Sequence, residues 1–342
     1  MTMPTPLAAL LNQPLSIGGK TVESRLALAP MAQLGHIAFR QLLAEFGGFG
    51  LMFSEMCSAK RIRCENRFVS PYFRWRDEEL GRLVCQIFGS DPAVMAEAAD
   101  RIESEGFFGV DINFGCAASS ICRQTGGAAL LKNPPLAAQI VRKIRRAVNI
   151  PVFVKFRTGW EDNPRLAVDM AKRFEDAGAD ALTFHPRVAP DRRAQRPKWE
   201  YIGQVKDTVG IPVFGNGDVF DASDCLNIIT QTGCDGVAVG RMAVARPWLP
   251  ARWSGSVPSD NAPYYETARR LSELLLEHFN PKDALRRFVK FSHYFSANFL
   301  FGHTFYTKIL NATDMEGVKQ CLDDFFKTPP EIVSRPNMNF FS

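Results

Sequence analysis

Asp111-Ile112-Asn113-Phe114-Gly115-Cys116 carries an amide and a thiol out of a short apolar run into a loop of small residues, and Gly126-Gly127-Ala128-Ala129-Leu130-Leu131 follows ten residues later. A core strand has no use for either group at that place, so the stretch reads as part of a site. The competing use of Cys116 is that of a small buried hydrophobe, the commonest fate of a free cysteine. Its neighbours Gly115, Ala117, Ser119 and Ser120 instead make a loop in which a side chain can meet a ligand. Cys116 is therefore the candidate catalytic group, with Cys122, six residues on, as the reserve.

Other polar residues end or interrupt apolar runs in the same way. Ala29-Pro30-Met31 ends a first run, Gln86 lies in a third, Asn113 and Cys116 end a fourth, and Lys155 and Arg157 sit on a fifth. His185 ends a sixth, Asn216 and Asp218 a seventh, and Gly240-Arg241 an eighth. Each has a plain alternative: His185 as a satisfied core histidine, the glycine pairs as turns. Lys155, between Val154 and Phe156, faces either a buried anion or a sheet edge, and a closed barrel has no edge. Gly215-Asn216-Gly217-Asp218 and Gly240-Arg241 join bare backbone N–H groups to a guanidinium, which is what a phosphate requires. A phosphate cradle, a buried cation, two amides and a thiol together suit flavin mononucleotide better than a sugar phosphate. A cation placed near N1 and O2 of a flavin stabilises its reduced anionic ring, a task suited to Lys155. No His, Asp and Glu set has metal-ligand spacing, so no metal is expected.

The elements that must position these groups recur along the chain. Strand-length runs fall at Leu26–Ala29, Leu51–Phe53, Leu83–Phe88, Val110–Asn113, Val152–Phe156, Ala181–Phe184, Val213–Gly215 and Gly236–Val239. Between them Pro92–Ser104, Leu136–Val148, Arg165–Asp176, Trp199–Thr208 and Ala222–Thr232 space their apolar residues three and four apart. Eight strands alternating with helices predict a parallel (β/α)8 TIM barrel over residues 1–250, with chemistry at the carboxyl ends of its strands. After Ser254–Asp260, a linker by composition, the pattern is helical to about Lys327, predicting a smaller all-helical domain over 261–342. Its Phe288, Phe291, Tyr294, Phe295, Phe299 and Phe305 read as core.

Composition sets the outer limits. The chain has 342 residues, 46% hydrophobic and 23% charged, in the range of an ordinary globular protein. It contains no run of eighteen apolar residues and no basic segment leading into an apolar one at its start, so a cytoplasmic protein with no membrane partner is expected. Eight cysteines without a CxxC pair read as free thiols. The net charge of +5 is mild but unevenly placed. Lys60, Arg61, Arg63, Arg67, Arg74 and Arg76 mingle with Phe68, Tyr72, Phe73 and Trp75, and a second loop carries Arg187, Arg192, Arg193, Arg196 and Lys198. Both can be solvated loops, yet interleaved arginines and aromatics also neutralise phosphates and stack bases.

From Leu26 to Leu249 the chain resembles the tRNA-dihydrouridine synthases. The resemblance rests on Ala29-Pro30-Met31, Gln86-Ile87-Phe88-Gly89, Asn113-Phe114-Gly115-Cys116, Gly126 to Leu131, Val154-Lys155-Phe156-Arg157-Thr158-Gly159-Trp160, Asn216-Gly217-Asp218 and Gly240-Arg241. It implies an FMN enzyme, reduced by NADPH, that reduces the C5–C6 double bond of a uracil in tRNA, with Cys116 as general acid toward C5. An ordinary thiol ionises near pH 8.5 and so holds its proton at neutral pH. Substrate contacts would fall to Asn113, Arg157 and Arg187. Cofactor contacts would fall to Ala29, Pro30, Met31, Gln86, Lys155 and His185, and to Asn216, Gly217, Asp218, Gly240 and Arg241 at the phosphate. The helical tail would bind RNA, the target base would be drawn out of its stack, and a monomer is expected.

The chain departs from the family pattern at Ala117, where a Pro usually follows the Cys, and at Pro186, where a Gly usually follows the His. Asp191 to Lys198 also replaces a Tyr-containing loop. These changes leave flavin binding safer than substrate identity. A small-molecule flavin oxidoreductase resembling dihydroorotate dehydrogenases, and a non-catalytic RNA-binding flavoprotein, are the competing functions.

Overall fold

The structure, a computed structural model, describes residues 5–189, 195–256 and 263–341. Eight parallel strands form a closed ring: β1 Leu26–Leu28, β2 Leu51–Phe53, β3 Leu83–Phe88, β4 Gly109–Phe114, β5 Val152–Gly159, β6 Ala181–Val188, β7 Val213–Asn216 and β8 Gly236–Val239. Closure comes from β1 pairing with β8 on one side and β2 on the other, and from β2 pairing with β3. The expected barrel is thus present. β5 and β6 run past their predicted ends at Phe156 and Phe184, so Arg157 and His185 are strand residues that pair in register.

Helices flank the ring: α1 Ile37–Phe46, α2 Pro92–Ser104, α3 Pro134–Ala147, α4 Pro164–Asp176, α5 Glu200–Lys206, α6 Ala222–Thr232 and the short α7 Arg241–Ala245. Local chemistry sets their starts. Asp91, Asn133, Asn163 and Asp221 each accept a backbone N–H of the first turn, and Pro opens α2, α3 and α4. Helix α1 is absent from the sequence reading. It is capped by His36, whose ring nitrogen accepts from the Phe39 N–H, so a histidine stands where a Ser or Asp would have signalled the start.

Strand alternation divides the residues into two cores. Ala27, Leu51, Phe53, Val84, Phe153, Ala181, Phe214 and Ala238 form one cluster with Ile17 and Val22 of an antiparallel hairpin, Leu15–Ile17 and Lys20–Val22. Phe53 and Phe153 meet edge to face at 5.5 Å. Each such Phe contributes about 1.5–3 kcal/mol by leaving water, and together they fill one end of the barrel. Further along the same strands stand Gln86, Asp111, Asn113, Lys155, Thr183, His185 and Asn216, paired across the sheet as Gln86 with Asp111, Asn113 with Lys155, and Lys155 with Thr183. Polar groups therefore gather at the carboxyl end, over an apolar floor.

Four helices follow: α8 Tyr264–His278, α9 Pro281–Phe295, α10 Gly302–Leu310 and α11 Met315–Phe326. Phe288, Phe291, Tyr294, Phe295, Phe299 and Phe305 are all buried, as expected of core residues. Helix α8 packs on α1, and α9 on α7. Beyond Lys327 the chain turns back: Val333 N–H donates to Asn298, Asn337 N–H donates to Ala297, and Phe340 and Phe341 are buried. The carbonyl of Phe341 accepts from Arg241 at the end of β8. Of the predicted linker only Ser254–Ser256 lies within the described residues.

Candidate active site

A cavity of about 200 Å³ opens at the carboxyl ends of β1 and β5 to β8. Ala29, Pro30, Met31, Lys155, Arg157, His185, Arg187, Asn216, Gly217, Asp218, Gly240 and Arg241 line it. The structure therefore brings together every predicted cofactor residue but Gln86, with two of the three predicted substrate residues. Gln86, Asn113 and Cys116 stand beside this cavity on β3 and the end of β4, joined to it by the pairing of Asn113 with Lys155.

Lys155 donates to Asn216 Oδ1 at 3.1 Å, and Asn216 donates in turn to the Ala238 carbonyl at 2.7 Å. Burial lowers the Lys155 ammonium to about 8; Arg157 adds to the shift, while Asp111 and Cys116 oppose it. Burial also takes His185 well below its ordinary value, reinforced by Arg157, Lys155, Arg187 and Arg241, so its ring is neutral at pH 7. The end of β7 must bend sharply. Gly217 has φ +123°, and a Cβ there would stand 2.8 Å from the His185 ring. Trp199 Nε1 donates to the Gly217 carbonyl at 2.9 Å and fixes the bend.

Asp218 is committed within the protein: its carboxylate accepts from Arg187 at 2.6 Å and from Arg241 at 3.0 Å. What it leaves for a ligand is backbone. Arg187 is buried, also bonded to the Gln195 carbonyl at 3.0 Å, and is a wall of the cavity.

The thiol half is held by backbone. Asn113 Oδ1 accepts the N–H groups of Gly115 at 3.1 Å and Cys116 at 2.8 Å, and the Cys116 carbonyl accepts from Ala128 N–H at 2.9 Å. Gly127, at φ +58°, lets the two segments approach: a Cβ on it would lie 2.5 Å from the Cys116 carbonyl oxygen. Trp160 Nε1 donates to the Ala128 carbonyl at 2.7 Å, tying the end of β5 to the same loop. The Cys116 side is partly exposed. Cys122 Sγ turns back to the Cys116 carbonyl at 3.6 Å, so its thiol is directed at the loop's own backbone and is poorly placed as the reacting group.

The sequence model of the family described as dihydrouridine synthase (Dus) matches residues 27–328. The chain belongs to the dihydrouridine synthase family. It is 40% identical to tRNA-dihydrouridine synthase B of Pseudomonas aeruginosa, over 68% of this chain and 70% of that one. It is 34% identical to the probable tRNA-dihydrouridine synthase 1 of Synechocystis sp., over 72% and 68%. Among solved structures the barrel is similar to the old yellow enzyme from Trypanosoma cruzi, with a TM-score of 0.53, 14% identity, and 76% and 95% of the two chains covered. It is likewise similar to 2-naphthoyl-CoA reductase, with a TM-score of 0.59, 14% identity, and 75% and 53% covered. At these identities the solved structures speak for the fold alone.

Around this family site lie residues absent from the sequence reading. Glu55, just after β2, is buried and accepts from Gln33 N–H and, at 3.3 Å, from Arg287 of α9. Arg287 also donates to the Pro71 carbonyl at 2.9 Å and lies 4.3 Å from the Phe279 ring centre. Gln33, at φ +64°, is the strained corner of the loop after Ala29-Pro30-Met31, so α9 fixes that loop through Glu55. Arg40 on α1 is equally buried, paired with Glu79 at 2.7 and 3.1 Å.

The first basic segment divides in two. Phe73 and Trp75 are core, whereas Phe68 is 72% and Val69 76% exposed, with the Arg67 guanidinium 5.3 Å from the Phe68 ring centre. In the second, Lys198 pairs with Asp162 at 2.5 Å, while Arg192 and Arg193 lie outside the described residues.

Proposed function

We propose that this chain is an FMN-dependent tRNA-dihydrouridine synthase that uses NADPH to reduce the C5–C6 double bond of a uridine in tRNA. The observation that carries the reading is the meeting, at one end of one barrel, of a cation-lined cavity and a backbone-held thiol. The residues present fit FMN: Lys155 is a buried cation, Gly217 lets the end of β7 pass against the His185 ring where a Cβ would collide with it, and Gly240 and Arg241 face the same cavity. When bound and reduced, FMN would supply hydride to C6 of the uracil.

The remaining tasks fall to the chain. Lys155, His185, Gln86 and Ala29-Pro30-Met31 would hold the ring and ribityl group; Asn216, Gly217, Gly240 and Arg241, with the backbone of Asp218, would hold the phosphate. Cys116 would give its proton to C5 and recover one from solvent, to which its side is open. Arg157, Arg187 and Asn113 would orient the base. The exposed Phe68 and Val69 beside Arg67, and the helices after residue 263, would take the folded RNA, its phosphates met by arginines and its bases by aromatic faces.

The test is the absorbance spectrum of the purified protein, then anaerobic reduction by NADPH and re-oxidation by unmodified tRNA transcripts. Flavin bands with re-oxidation by tRNA are expected. Flavin without a response to RNA would mean a small-molecule oxidoreductase, and no flavin after reconstitution would overturn both.

The low Lys155 value gives a second expectation. Ring acceptors seated on Lys155 favour its ammonium form by taking a hydrogen bond from it, whereas the empty site loses the proton as pH passes about 8. Binding is then linked to proton uptake, and FMN affinity falls by up to about tenfold per pH unit above that value. Titrating stripped protein with FMN between pH 7 and 9.5, by fluorescence quenching, checks this; Lys155→Met should bind more weakly and with a flat profile.

A further inference from the structure

The amides between β3 and β4 form a chain whose polarity is fixed at both ends. At one end are the N–H groups of Gly115 and Cys116, which can only donate, so Asn113 must turn Oδ1 toward them. Its Nδ2 then faces Gln86 Oε1 at 2.9 Å, with Met56 Sδ at 3.9 Å. Gln86 must therefore aim Nε2 the other way, where it donates to Asp111 Oδ2 at 2.6 Å. Asp111 is fully buried, and its Oδ1 has no hydrogen-bond partner among the described residues. No step of the proposed reaction uses it. A buried carboxylate inside an apolar strand costs several kcal/mol unless something is gained by it, and here it is the acceptor that ends the chain.

We infer that Asp111 is a positioning residue, which through Gln86 and Asn113 fixes the loop that presents the Cys116 thiol. The inference rests on the proposed reading of Cys116 as the proton donor. Replacing Asp111 by Asn leaves two arrangements. Either the new NH₂ faces that of Gln86, or it takes the buried place of Oδ1, where the carboxylate oxygen makes no hydrogen bond among the described residues. Both weaken the hold on Asn113, and with it the hold on the Gly115 and Cys116 N–H groups. Burial raises the Asp111 carboxyl to about 7, opposed by the bond from Gln86 and the charge of Lys155; with or without the proton it keeps an oxygen that accepts from Gln86 Nε2.

The experiment compares the full-length protein with Asp111→Asn, Gln86→Leu and the double variant. Single-turnover uridine reduction at saturating tRNA should fall at least tenfold in each single variant, with KM for tRNA changed less than threefold. The double variant should be no slower than Gln86→Leu, because both changes cut one chain. Alkylation of Cys116 by iodoacetamide, followed by peptide mass spectrometry, should quicken at least threefold in both single variants while Cys122 holds its rate. Losses that multiply in the double variant, or Cys116 alkylation equal to wild type, would overturn the inference. If Asp111→Asn does not fold, Gln86→Leu alone decides through the same alkylation rate. A wild-type protein that bound flavin but left uridine untouched would sink the functional reading, and the alkylation arm would still judge the relay.

Discussion

Cys116→Ala is expected to slow uridine reduction by about 10² to 10⁴-fold, the usual share of a positioned general acid, in a single-turnover assay with pre-reduced enzyme. The geometry explains why no neighbour should replace it. The Cys116 N–H and carbonyl are both tied, to Asn113 and Ala128, so the partly exposed thiol is carried on a fixed backbone. Cys122 points back at the Cys116 carbonyl and not toward the cavity wall. Cys122→Ala should accordingly cost less than about threefold, since the loss of one weak thiol hydrogen bond is small. Turnover of Cys116→Ala at the wild-type rate would mean that the proton comes from elsewhere.

Arg287→Met is expected to destabilise the protein by about 3–5 kcal/mol, the cost of leaving one partner of a buried ion pair uncompensated. Arg287 and Glu55 are each 2% exposed at the side chain. Burial already pushes the Glu55 carboxyl up, and Arg287 is the chief group opposing that shift. Urea unfolding followed by circular dichroism would show the loss as a lower midpoint. Glu55→Gln in the same chain should recover more than half of it, because the remaining amide needs no counter-charge. Equal midpoints for wild type and Arg287→Met would show that water reaches Glu55 and that the pair is not closed.

How far the sequence discloses this architecture depends on the range of the signal. Apolar runs such as Leu51–Phe53 and Gly236–Val239 are continuous because both faces of a barrel strand are covered, and such runs are legible one by one. Polar residues that interrupt them, Lys155 between Val154 and Phe156 above all, mark the site because the same covering makes each one costly. Asp111 carried that signal too, sitting between Val110 and Ile112, but its use depends on Gln86, on a neighbouring strand. Glu55 and Arg287 stand 232 positions apart. Nothing in either one's surroundings names the other, since a buried pair is made by packing rather than by spacing. The aromatic-basic segment misleads for a related reason: composition cannot tell the buried Phe73 and Trp75 from the exposed Phe68 five residues before Phe73.

The bond from Arg241 to the Phe341 carbonyl spans a hundred residues. The guanidinium that closes the last barrel strand is thus steadied by a stretch synthesised well after the barrel itself. A nascent chain that has emerged only through α7 has all eight strands and lacks this clasp. Growth of the polypeptide thereby orders the contacts: the Arg241 wall of the cavity gains this bond only after the segment through Phe341 has been made and has returned.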